Sequence, residues 1–326
     1  MFLFQIVIQH SKRAQHFLVS SLYIIVMHTI TKEHIVIPSR NPNTKKGDSG
    51  RVLVVGGSKD YVGALTLAGL SALRAGCDWV TIACPEKVAW AINAFSADLV
   101  TKKLSGEYLS TKNSQEVIEL AKSHNVILMG NGAGLREETV KFFEQVNAKT
   151  NFPNLLKVID ADAIKSLSAQ ELSNSIITPH KKELEIFLLN SNIDEKIVRR
   201  VVNEEYVERR AGMLQSLLKG FLAKNNVILV KGRIDTIITS SKIIYNKTGN
   251  PGMAKAGTGD VLAGLCAGFL AQNNDLLQSA INGAYFNGLI GDILLEKKKG
   301  YCYIASDMVG EIQGVLKRFS KKKGIF

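Results

Sequence analysis

A glycine-rich run late in the chain has the residue types and spacing for phosphate chemistry. Residues Gly249-Asn250-Pro251-Gly252-Met253-Ala254-Lys255-Ala256-Gly257-Thr258-Gly259-Asp260 lead directly into Val261-Leu262-Ala263-Gly264. Glycines let the backbone approach a phosphate closely and turn its N–H groups toward it. The small and apolar residues behind them predict a helix beginning near Gly259, whose positive end favours an anion. A carboxylate at that start, Asp260, can take a proton from a substrate hydroxyl. The alternative is a glycine loop closed by Asp260 as a helix cap. The length of the run and the small-residue helix behind it favour the chemical reading.

Further candidates stand where short apolar runs stop: Gly56-Gly57-Ser58, Gly130-Asn131-Gly132-Ala133-Gly134, Asp160-Ala161-Asp162, Thr178-Pro179-His180 and Lys231-Gly232. A purely structural sheet has no need of Gly, Asp, His or Lys at nearly every strand end. Each residue also has a plainer reading: His180 as a cap on the next helix, Asp160 and Asp162 as helix-start residues, Lys231 as a solvated hairpin residue, Glu183 as a first-turn carboxylate. Gly130–Gly134 lacks the spacing of a dinucleotide fingerprint, and no P-loop motif is present.

The elements that must hold these residues alternate. Arg51–Val55, Trp79–Ala83, Val126–Met129, Leu156–Ile159 and Ile176-Ile177 are short apolar runs. Helical spacing over Ala64–Ala75, around Lys87–Phe95 and over Glu137–Val146 separates several of them. Fully apolar strands divided by helices predict an α/β fold with a mostly parallel sheet covered on both faces. Residues 181–225 read as helical and charged. Val227–Val230, Thr236–Thr239 and Ile243–Tyr245 return to strand, and the short turn Lys231–Asp235 predicts antiparallel pairing of the first two. Helices over Thr258–Ala271, Leu276–Leu295 and about Ser306–Phe319 close the chain. In open parallel sheets ligands bind beyond the carboxyl ends of the strands, where the candidates lie.

Composition narrows the class. The chain has 326 residues, 46% of them hydrophobic, with net charge +12. Residues 1–50 hold +4 and residues 317–326 hold +5, so only +3 falls on the remainder. Basicity at the ends, without a basic stripe through the fold, argues against nucleic acid. Cys77, Cys84, Cys266 and Cys302 form no C-x-x-C pair, which disfavours zinc or a disulfide framework and fits a reducing cytoplasm. The apolar run Phe17–Met27 is too short for a membrane span. A start at Met27 is the favoured explanation of segment 1–27, over an added segment or targeting. One domain is expected over 28–320, followed by a basic tail, 321–326.

Taken with its neighbours, the run Gly249–Gly264 resembles the signature of ribokinase-like enzymes, and in its particular form the ADP/ATP-dependent NAD(P)H-hydrate dehydratase family. Gly47-Asp48-Ser49-Gly50-Arg51, Tyr61-Val62-Gly63-Ala64, Leu73-Arg74-Ala75-Gly76, Asp160-Ala161-Asp162-Ala163, Thr178-Pro179-His180 with Glu183, and Val230-Lys231-Gly232 occur in that family's order. The resemblance spans about residues 45–315. Asn131 stands where the family's usual residue is Pro, and Ile193–Asn225 is longer and more charged than the family leads one to expect.

The resemblance implies a three-layer α/β/α sandwich and a repair reaction: phosphate passes from ADP or ATP to the ring hydroxyl of hydrated NAD(P)H and is then eliminated. It implies Asp260 as base and an anion hole at Gly257, Thr258 and Gly259. Lys231, Gly232, Arg233, Ile234, Asp235 and Gly259 would border the nucleotide. Ala64, Gly134, His180 and Asp260 would contact the hydrate. Mg²⁺ would neutralise phosphate charge, without any assigned metal ligand. A homo-oligomer is implied, with a tetramer as one form, and neither nucleic acid nor membrane as partner. Two rivals remain: a ribokinase-like kinase of a sugar or vitamin precursor, and a non-catalytic binder using the basic ends.

Overall fold

The computed structural model describes residues 28–297 and 300–320. The segment 1–27 and the tail 321–326 lie outside the described residues. The chain alternates strand and helix from β1 (Arg51–Val55) and α1 (Gly63–Ala75) through β2 (Trp79–Pro85), α2 (Glu86–Phe95), β3 (Val100–Leu104), α3 (Ser114–Ala121), β4 (Val126–Met129), α4 (Glu137–Lys149), β5 (Leu156–Ile159), α5 (Ala161–Ser166) and β6 (Ser175–Ile177). Four helices follow, α6 (Lys181–Asn190), α7 (Glu195–Val202), α8 (Val207–Leu217) and α9 (Lys219–Leu222). Then come β7 (Val227–Val230), β8 (Asp235–Ile238), β9 (Ile243–Asn246), α10 (Thr258–Asn273), α11 (Leu276–Lys297) and α12 (Ala305–Ser320).

The nine strands of the described residues form one sheet in the order β3-β2-β1-β4-β5-β6-β7-β8-β9. Pairing is parallel from β3 to β7 and antiparallel from β7 to β9, as the short turn after Val230 predicts. Strand periodicity divides the core in two. Val52 and Val54 face a cluster built with α1, α2 and α10–α12. Leu53 and Val55 face a second cluster built with α3–α9. The expected α/β/α layering is present, and among the described residues no helix is long and apolar enough to cross a membrane.

Two elements escape the sequence reading. β3 is an edge strand whose Lys102 and Lys103 break any apolar run, a usual device against edge pairing. α3 is short and half polar. At the opposite edge, Ile30 N donates to Tyr245 O and Tyr245 N to His28 O, so the chain just after Met27 pairs with β9.

The helix carrying the glycine-rich turn is held by close backbone packing. A Cβ on Gly264 would lie 2.2 Å from Ala68 O, and one on Gly268 would lie 2.5 Å from Ala72 O. Small residues therefore let α10 and α1 meet backbone to backbone, which sets where the amino end of α10 points.

Candidate functional site

The turn before α10 is built by glycine and pinned from three directions. Gly257 is the residue before the helix, at φ +93°, a conformation that glycine takes without penalty. A Cβ there would lie 2.7 Å from both Leu67 Cδ1 and Ala305 Cβ. Thr258 Oγ1 donates to Met253 O at 2.8 Å and Lys255 O at 3.0 Å. Its hydroxyl therefore closes the loop, and what it offers a phosphate is its backbone N–H. Asp292 accepts from Gly249 N (2.9 Å) and Asn250 Nδ2 (3.0 Å), and Tyr303 Oη donates to Asn250 Oδ1 (2.7 Å). Lys255 is turned away, onto the carbonyls of Tyr301 and Tyr303. The first N–H groups of α10 have no acceptor within the helix, as at any helix start, which is where an anion is favoured.

Asp260 lies in the first turn of this helix and is not its cap, which removes the capping alternative. Its Oδ1 accepts from Asn131 Nδ2 at 2.7 Å. The same nitrogen donates to Asp160 Oδ2 at 2.9 Å. Asp160 is buried at the end of β5, and its other oxygen accepts from Thr178 Oγ1 (2.6 Å) and Lys231 Nζ (3.0 Å). Lys231 Nζ also stands 3.5 Å from Glu183 Oε2. β4, β5, β6 and β7 thus deliver Asn131, Asp160, Thr178 and Lys231 to one network beside α10.

The charges set the protonation states. Burial, reinforced by the negative charge of Asp160, pushes the Asp260 carboxyl up to about 7, against the opposing pull of Asn131 and Lys231. Burial works to lower the Lys231 ammonium, but Asp160 and Glu183 outweigh it and the net shift is upward. Lys231 therefore stays charged, and Asp260 is poised near neutrality, where a general base works best. The solvated-hairpin alternative for Lys231 does not hold. Glu183 is more than a first-turn carboxylate, since it also faces Lys231.

A cleft of about 1800 Å³ opens beside this network, larger than the ~300–1,000 Å³ of an ordinary ligand pocket. It is lined by His180, by residues 231–235, by most of the glycine-rich loop from Gly249 to Ala256, and by Thr258 and Gly259. Lys231, Gly232, Arg233, Ile234, Asp235 and Gly259 thus come together, and a Cβ on Gly259 would stand 3.5 Å from Lys231 Nζ. The Asp235 side chain is occupied with the hairpin itself. It accepts from Gly232 N and Asn246 Nδ2, both at 3.1 Å, and burial pushes its carboxyl up to about 6. The long charged segment adds Val202 of α7, Glu205 and Tyr206 of the connection, and Val207 and Arg210 of α8 to the cleft wall.

His180 caps α6: Nδ1 accepts from Lys182 N and Glu183 N, at 3.1 and 3.3 Å. Its ring nevertheless stays half exposed on the cleft. Ala64 and Gly134 lie off the cleft, near the Asn131 loop: a Cβ on Gly132 would be 3.3 Å from Ala64 Cβ. Gly134 N donates to Asp162 Oδ2 at 2.8 Å. Sequence reasoning did not single out Asp292 or Tyr303, which pin the loop from α11 and from the segment before α12. No local signal marks either one. Among the described residues no group of three or more His, Cys, Asp or Glu could hold a metal ion.

Comparison with known proteins agrees with this architecture. The family model described as NAD(P)H-hydrate dehydratase matches residues 52–313. The bifunctional NAD(P)H-hydrate repair enzyme Nnr of Methanothermobacter thermautotrophicus is 36% identical over 283 residues, covering 86% of this chain and 52% of its own length. The chain thus spans about half the length of several curated relatives it matches. The ADP-dependent (S)-NAD(P)H-hydrate dehydratase of Cenarchaeum symbiosum is 30% identical, covering 87% of this chain and 94% of its own. Among solved structures, the ADP/ATP-dependent NAD(P)H-hydrate dehydratase of Bacillus subtilis, co-crystallized with ATP/Mg²⁺, superposes with a TM-score of 0.72 at 24% identity. It covers 90% of this chain and 99% of that one, and bears on the fold alone.

Proposed function

This chain belongs to the NAD(P)H-hydrate dehydratase family, and from that premise we propose that it restores hydrated NAD(P)H at the expense of ADP or ATP. The observation that carries the reading is the placement of Asp260: a carboxyl poised near 7, in the first turn of a glycine-started helix, beside a cleft edged by Lys231. In this reading the β-phosphate of ADP, or the γ-phosphate of ATP, lies against the N–H groups of Gly257, Thr258 and Gly259. Asp260 takes the proton of the ring hydroxyl as its oxygen attacks phosphorus, and AMP or ADP leaves. The ring carbon–oxygen bond then breaks, phosphate departs with the bonding pair, and loss of the neighbouring proton restores the double bond. Lys231 and the hairpin through Asp235 border the nucleotide. His180, Ala64 and Gly134 face the hydrate.

Mg²⁺ enters this proposal with the nucleotide, held chiefly by phosphate oxygens, as suits an ion that keeps few protein ligands. It would neutralise phosphate charge, and no step is assigned to it. A homo-oligomer in the cytoplasm is the proposed setting.

The deciding assay mixes hydrated NADH with ADP and, in parallel, with ATP. Recovery of the near-ultraviolet absorbance of reduced nicotinamide is the expected result. Nucleotide consumption with a stable phosphorylated product and no recovery would favour a small-molecule kinase instead.

A further inference from the structure

Asn131 occupies the centre of the site. It is fully buried. Its Nδ2 serves two carboxylates, Asp260 Oδ1 at 2.7 Å and Asp160 Oδ2 at 2.9 Å, so both amide hydrogens are committed. Its Oδ1 is buried without a hydrogen-bond partner. Turning the amide over would set an oxygen between two carboxylate oxygens, so charge alone fixes its orientation. A buried carbonyl without a donor is destabilising, and a residue kept only to fill space need not be an amide. The backbone leaves the side chain little freedom to move away. Gly57 N donates to Asn131 O at 2.8 Å. A Cβ on Gly56 would lie 2.4 Å from that same oxygen, and one on Gly130 would lie 1.9 Å from Asp160 O.

We propose that Asn131 is a positioning residue that commits Asp260 Oδ1 to a hydrogen bond, leaving Oδ2 as the oxygen that takes the proton. The proposal rests on the reading of Asp260 as the base. Asp160 already receives Thr178 and Lys231 on its other oxygen. With Asn131 on the remaining one, both oxygens of Asp160 are hydrogen-bonded. Four groups then act on Asp260. Asp160 from the end of β5 and Glu183 from α6 oppose its ionisation. Lys231 from the end of β7 and Asn131 from the loop after β4 favour it. Asn131 is the only one of these that touches Asp260 by a hydrogen bond among the described residues, so it alone can choose between the two oxygens. Replacing it by a residue with no donor leaves a carboxyl that is harder to ionise and free to rotate.

The experiment compares wild type with Asn131→Leu, which keeps the bulk and removes the donor, and with Asp260→Asn. Two readouts are followed against pH: kcat/KM for the hydrate with ADP, and the carboxyl ¹³C resonance of Asp260, identified by its loss in Asp260→Asn. In Asn131→Leu both the acid limb and the Asp260 titration are expected to move up by about one to two pH units. ADP affinity should be kept. A variant that folds, binds ADP and titrates like wild type would reduce Asn131 to packing and overturn the proposal. Should Asn131→Leu fail to fold, Asn131→Ser, which is smaller and cannot serve both carboxylates at once, decides on the same two readouts. Continued turnover by Asp260→Asn would overturn the base assignment instead. The Asp260 resonance in the Asn131 variants would still report whether the hydrogen bond governs its ionisation, so the two failures are distinguishable.

Discussion

Lys231 Nζ lies 3.0 Å from Asp160 Oδ1, and the pair joins the carboxyl ends of β7 and β5 across the intervening strand β6. The strand between them contributes too, because Thr178 follows β6 and donates to the same carboxylate oxygen. Lys231 lines the cleft, and Asp160 is buried behind it. Loss of the pair should register in both stability and titration.

Lys231→Met is expected to destabilise the fold by about 3–5 kcal/mol, because it strands Asp160 and Glu183 as buried charges without a cation. Denaturant unfolding at neutral pH measures this. The acid limb of activity should also move upward, since Lys231 is one of the two groups that ease the ionisation of Asp260. A stability close to that of wild type would show that the pair contributes little to the fold.

Asp260→Asn is expected to lower kcat by roughly 10²–10⁴-fold, the usual contribution of a positioned base. Nucleotide binding should be largely retained, because the N–H groups at the start of α10 and the Lys231 hairpin are untouched. Single-turnover kinetics together with calorimetric titration of ADP separate the two. Near-normal turnover would remove Asp260 from the chemistry.

The pH dependence has opposite signs for activity and stability. A base poised at about 7 must be ionised to act, so kcat/KM should rise with pH and level off above that point. The folded protein meanwhile keeps the Asp260 proton long after the unfolded chain has released it near 4. Below that value both states are protonated and the stability is fully present. It is lost as pH rises to about 7, because the folded state binds more protons throughout the window. Asp235, pushed up to about 6, adds the same sign. Thermal melts should therefore show Asp260→Asn more stable than wild type at pH 8, by on the order of 2 kcal/mol, and little different at pH 4. A difference from wild type that is the same at pH 4 and pH 8 would count against a strained carboxyl.

Gly257→Ala is expected to cost roughly 1–3 kcal/mol through its positive φ, with further loss from the contacts that its Cβ would make with Leu67 and Ala305. Because the strain falls on the turn that aims the first N–H groups of α10, kcat should fall more than stability alone explains. Steady-state kinetics at a temperature where the variant remains folded would show it. Unchanged kcat would mean that the turn tolerates a shift.

The strands were legible in the sequence because parallel strands buried on both faces must be nearly continuous apolar runs, as in Val126–Met129 and Val227–Val230. The glycine turn was legible because its composition is itself the mechanism. β3 was not, because an edge strand carries Lys102 and Lys103 where a central strand would carry valine. The network itself was less accessible. Asn131, Asp160, Lys231 and Asp260 appear in sequence as ends of separate elements, each open to a modest reading as a cap or a solvated residue. Only their convergence turns Lys231 into a half-buried cation held by two carboxylates and Asn131 into a bridge. His180 shows the reverse, since its capping role was foreseeable from its position before Lys181–Asn190 and does occur.

The seam where Gly264 and Gly268 of α10 press against the backbone at Ala68 and Ala72 also bears on how the chain assembles. It joins an early helix to one separated from it by most of the sequence, and such distant contacts close slowly. As the ribosome delivers the chain, α1 must wait for its partner until the glycine-rich turn and the whole of α10 have emerged. The glycine-rich turn takes its shape only with that docking. Docking of α10 on α1 is therefore a late event of folding, and a destabilised seam should leave the glycine-rich turn unshaped.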